Sequence, residues 1–76
     1  MKFEKVRKIL DAAMKDQQHG IIKFAGDSVD FDFTARDSSE PYVIGYCYDM
    51  GVVSVLDNVR KVYIECAAIQ CIEVYG

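Results

Sequence analysis

The chain has 76 residues, 51% of them apolar and 28% charged, with a net charge of −3. That length leaves room for a single domain of residues 1–76, and the apolar share at so low a net charge excludes a disordered chain. No window approaches the ~18 consecutive apolar residues of a membrane-spanning helix, and residues 2–18 mix both signs of charge, unlike a secretory leader, so a cytoplasmic globular domain is expected.

Residues 2–18 are predicted to form an amphipathic helix. Phe3, Val6, Ile9, Leu10, Ala13 and Met14 fall on one arc at 100° per residue, the signature of one buried face. The other face pairs Glu4 with Lys8, Arg7 with Asp11 and Asp11 with Lys15 at i,i+4 spacing. Gly20 suits the left-handed position that ends a helix, and His19 complements the dipole there.

The period then changes from 3.6 to 2. Strands are predicted at 21–25, 28–35, 42–49, 52–56, 60–66 and 71–75. Gly26-Asp27 reads as a two-residue type II′ hairpin turn. In the second strand Val29, Phe31 and Phe33 take one face, Asp30, Asp32 and Thr34 the other. Arg36 to Pro41 is a polar loop, Met50-Gly51 a short turn, and Ala67 to Gln70 one helical turn. Short connections favour antiparallel neighbours. The expected fold class is α+β: an N-terminal helix, then a curved five- or six-stranded antiparallel sheet or a small helix-capped barrel.

A domain this small usually needs a staple. Cys47, Cys66 and Cys71 are odd in number with no C-x-x-C pair, so core thiols are expected rather than disulfides. The one His and these spacings fit no zinc site. No metal and no cofactor are expected, which leaves self-association.

Chemistry-bearing constellations are few. The segment Tyr42-Val-Ile-Gly-Tyr-Cys-Tyr-Asp49 alternates so that Tyr42, Ile44, Tyr46 and Tyr48 share one face; Tyr63 adds a further ring. Both faces of this strand and the next are partly apolar, and one helix covers only one side of a sheet. The uncovered side must therefore curl on itself as a barrel interior, meet a second copy, or bind a protein or small-molecule partner through the Tyr-rich face. Residues 1–16 hold five basic and three acidic residues, the remainder four and nine. Lys5, Arg7 and Lys8 are thus the candidate phosphate contacts; nucleic acid is not favoured for so acidic a body. No catalytic set is expected. An enzyme would have to use Asp30 and Asp32, or Cys47 or Cys66 with His19.

Two segments carry a resemblance. Gly45-Tyr-Cys-Tyr-Asp-Met-Gly-Val-Val-Ser-Val-Leu56 is similar to the long bent middle strands of the Sm-like family. Val62-Tyr-Ile-Glu-Cys-Ala-Ala-Ile-Gln-Cys-Ile-Glu-Val74 is similar to its last two strands, with Ala68-Ile69 where that family has Ala-Ile. The resemblance spans roughly residues 43–74 and implies a helix-led small barrel whose subunits join edge to edge in rings. Bacterial members place RNA-contacting Lys and His before that Ala-Ile pair; this chain has Cys66 and Ala67. The expected function is a non-catalytic binding module that self-associates; the alternatives are an Sm-like RNA-binding ring and a small enzyme.

Overall fold

The computed structural model describes residues 1–34, 44–57 and 60–76, the side chains of 44, 57 and 60 excepted. In chain order it has helix α1 (Phe3–Lys15), strands β1 (His19–Phe24), β2 (Asp27–Asp32), β3 (Ile44–Cys47), β4 (Val52–Asp57) and β5 (Arg60–Glu65), a 3-10 turn (Cys66–Ala68), and β6 (Ile69–Tyr75). The α+β class holds. The strands form two antiparallel three-stranded sheets: sheet A in the order β2-β1-β6, sheet B in the order β3-β4-β5. The expected loop over 36–41 lies outside the described residues, as do Tyr42 and the ends of two predicted strands.

α1 buries Val6, Leu10 and Ala13, positions one helical turn apart, while Met14 at the arc's edge stays exposed. Of the three expected i,i+4 pairs, Arg7–Asp11 is closed at 3.5 Å, and it is the only one among the described residues. The helix ends earlier than its charge pattern suggests. Gln17, not Gly20, takes the left-handed conformation, with φ at 52°. The Gln17 N–H donates to Met14 O at 3.2 Å and the Gln18 N–H to Ala13 O at 2.9 Å. That pair of bonds is a Schellman cap, which satisfies two carbonyls otherwise left open.

The early stop releases His19 and Gly20 into β1. Gly20 lies opposite Phe31 and Val74. A Cβ there would collide with the Glu73 carbonyl oxygen and come within 2.7 Å of the Phe31 ring. Its glycine serves close approach, not helix termination. The hairpin turn is likewise one residue earlier than expected. Phe24 pairs with Asp27, so Ala25 and Gly26 form the turn. Their φ values, 44° and 78°, are both positive, as type I′ requires and type II′ does not.

The core joins both sheets to the helix. Ile22, Val29, Phe31 and Ile69 come from sheet A, Val53, Val55 and Ile64 from sheet B, and Cys66 from the connection between β5 and β6. A further tie holds the start of α1 to the 3-10 turn and the first residue of β6: the Met1 ammonium donates to Cys66 O at 2.9 Å and to Ile69 O at 3.0 Å. Only Cys66 meets the expectation of core thiols; Cys47 and Cys71 are exposed. Strand parity is the reason, since both lie at positions that face away from the core.

Candidate binding surface

In an antiparallel sheet, directly opposed residues share a face. Tyr46 is opposite Val53, and Val53 opposite Ile64. Tyr46 therefore turns inward with the core. Its ring meets Phe3 edge to face at 6.0 Å, and its hydroxyl donates to Asp11 Oδ1 at 3.0 Å. Burial first, and the Asp11 carboxylate second, push the Tyr46 phenol well above its ordinary range. Tyr48, in the turn after β3, lies 4.8 Å from Phe3, and the Arg7 guanidinium sits 4.8 Å from its ring centre. Ile44 is paired with Val55 in the same register as Tyr46. Tyr42 lies outside the described residues.

Tyr63 faces the other way. It is opposite Ser54 and 67% exposed. The structure thus divides the anticipated tyrosine face: Tyr46 fastens sheet B to α1, Tyr48 lies against Phe3 and Arg7 but stays 57% exposed, and Tyr63 looks outward. The alternation of β5 dictates this, because Val62 and Ile64 must both point into the core.

On the outward side of sheet B, Gly45, Tyr46, Cys47, Val52, Ser54 and Tyr63 line a shallow depression of about 120 Å³. Gly45 and Ser54 make its floor; the Ser54 hydroxyl donates to Gly45 O at 3.3 Å, and a Cβ at Gly45 would stand 2.7 Å from Ser54 Oγ. Val52, Cys47 and Ser54 were absent from the expected site. Their signal was present in the same alternation that put Tyr46 and Gly45 on opposite faces. Along β5 this surface continues as Lys61, Tyr63 and Glu65, all exposed, with Lys61 Nζ 5.4 Å from the Tyr63 ring centre.

The candidate phosphate contacts are all exposed on α1. Arg7 is engaged by Asp11 and Tyr48. Lys8 shares a groove with Glu4, Arg7 and Asp11, so positive charge there is offset by carboxylates.

The outward side of sheet A carries the carboxylates. Asp32 accepts from the Thr34 hydroxyl and, at 2.7 Å, from the Thr34 N–H. Those bonds, with His19 nearby, hold its carboxyl below the usual range. That is the shift of a settled carboxylate rather than of a general acid. Across the sheet, the Tyr75 hydroxyl at 2.7 Å and Lys23 at 3.2 Å lower the Glu73 carboxyl in the same way. His19 stands beside Tyr75, ring centres 5.7 Å apart. Burial pushes the Cys66 thiol up, away from the thiolate a nucleophile needs. Among the described residues, no group of three His, Cys, Asp or Glu side chains is placed to hold a metal ion, and no helix is long and apolar enough to cross a membrane.

Comparison with protein-family models, with curated proteins and with solved structures found no match for this chain.

Proposed function

We propose that the chain is a small non-catalytic binding module that self-associates and engages a protein or small-molecule partner through the outward side of sheet B. The observation that carries this is Tyr63, a large ring left two-thirds exposed beside Val52, Cys47 and the Gly45–Ser54 floor. Isolated exposed apolar residues are ordinary; a ring next to a depression on an otherwise regular sheet is what partners use. The edges β3, β5, β2 and β6 also have no strand beyond them among the described residues.

We further infer that the two sheets are halves of one Sm/SH3-like barrel. The connectivity supports it: β1 lies between β2 and β6, β2 touches β4 across the core, and a 3-10 turn joins β5 to β6. This favours, as the second reading, an Sm-like ring; RNA contact in it would fall to Lys5 and Lys8, since Arg7 is already held.

Sedimentation over the micromolar range tests the first reading. The wild-type chain is expected to associate, and Tyr63→Asp to shift it toward monomer with the melting temperature of the dilute, monomeric chain kept. Asp at Tyr46 or Val53 would not serve, because one is bonded to α1 and the other is fully buried. A wild-type monomer throughout would overturn self-association. RNA retention at low salt that falls when Lys5 and Lys8 are neutralised would favour the second reading.

A further inference from the structure

Among the described residues no strand lies beyond β5 in sheet B, and its outward residues are Lys61, Tyr63 and Glu65. The order is cation, ring, anion. A second copy of the strand running the opposite way presents anion, ring, cation. A two-fold axis at Tyr63 therefore sets Lys61 against Glu65 of the second copy, twice, and the two rings against each other. On the inward side the same axis sets Val62 against Ile64 of the second copy. Among the described residues neither Lys61 nor Glu65 is in an ion pair. The other edges lack this self-complementarity: on β2 the outward residues are Ser28, Asp30 and Asp32, whose charges are of one sign. The outward residues of β3 are Gly45 and Cys47, without charge. On β6 the outward Glu73 is already bonded to Lys23 and Tyr75.

We propose that two copies join through β5, antiparallel and edge to edge, making one continuous six-stranded sheet from the two sheets B. Opposed charges across neighbouring strands are favourable and like charges unfavourable, and a two-fold pairing closes the assembly at two copies. A lone lysine on an edge usually discourages pairing; here the strand also carries the carboxylate that answers it, at the matching distance from Tyr63. This inference rests on the self-association proposed above and specifies its geometry.

The test is a charge swap followed by sedimentation equilibrium at low salt. The wild-type chain is expected to dimerise. Lys61→Glu and Glu65→Lys should each weaken the dimer by about tenfold or more, and the double variant should recover it. Both residues are exposed, so all four proteins should melt alike at concentrations low enough for each to be monomeric. Independently, amide exchange in wild-type β5 should slow as concentration rises while that of β6 does not. Association that ignores the swaps, or that grows beyond two copies, overturns the β5 dimer and leaves self-association standing. A monomer at every concentration overturns both.

Discussion

Single residues decide where the chain turns. Gly20 and Gln17 exchange the roles that their types suggest. Glycine is the usual left-handed helix end, yet Gly20 is required where β1 passes under the Phe31 ring and the Glu73 carbonyl. That demand is tertiary and invisible in local sequence; the cap then falls to Gln17. Gly20→Ala is expected to destabilise by about 1–3 kcal/mol, as overpacking does, measured as a lower urea midpoint. Ala25 is the converse case. Its φ of 44° suits glycine or asparagine better. Ala25→Gly should raise stability by about 0.5–1 kcal/mol, and an unchanged or lower midpoint would contradict the type I′ turn. Asp32 gives a pH signature. Its carboxyl is lowered in the folded chain, so it favours folding above its unfolded value, about 3.9, and that contribution fades as pH falls through the lower folded value. Thr34→Val should therefore lower the melting temperature at neutral pH and have no such effect once the pH is below both values. The same loss at every pH would mean that Thr34 acts through packing instead.

At the scale of elements, the period of the sequence was a reliable guide and the edges were not. The helix, six strands and the outward or inward alternation of β2, β4 and β5 all follow from spacing alone. Which face of β3 meets the helix does not follow, because both faces are apolar: Tyr46 and Tyr48 on one side, Gly45 and Cys47 on the other. The choice is made by Phe3 and Asp11, which offer Tyr46 a ring contact and a carboxylate acceptor that the other face cannot match. Two substitutions separate these contributions. Tyr46→Phe removes one partly exposed hydrogen bond and should cost about 0.5–1.5 kcal/mol. Leu10→Ala empties a fully buried position of α1 and should cost about 2–5 kcal/mol. Thermal unfolding of the pair would rank them; a larger cost at Tyr46 would mean that the bond to Asp11, not burial, holds the helix down.

At the scale of the molecule, the two sheets share one core rather than owning one each. Neither could bury its inward face alone. Unfolding is therefore expected to be a single transition: tyrosine fluorescence, to which Tyr46, Tyr48 and Tyr63 contribute from sheet B and its turn and Tyr75 from sheet A, and far-ultraviolet circular dichroism should give one midpoint. Separated midpoints would mean that sheets A and B unfold independently. The excess of apolar residues over what one helix can hide was readable from composition. Its resolution was not, because part of the excess goes to the seam between α1 and β3, while Tyr63 on β5, Met50 in the β3–β4 turn and Tyr75 on β6 are left exposed at separate places.

The three cysteines lie at unequal depths: two exposed, on the outward sides of different sheets, and Cys66 buried where the β5–β6 connection meets the core. The chain thus carries its own labelling scheme. A thiol reagent in excess should modify two groups promptly, giving fixed points for a dye pair, one on each sheet. The third should react only as fast as the interior opens, so its lag is a chemical clock for the opening equilibrium, obtained without mutating a residue.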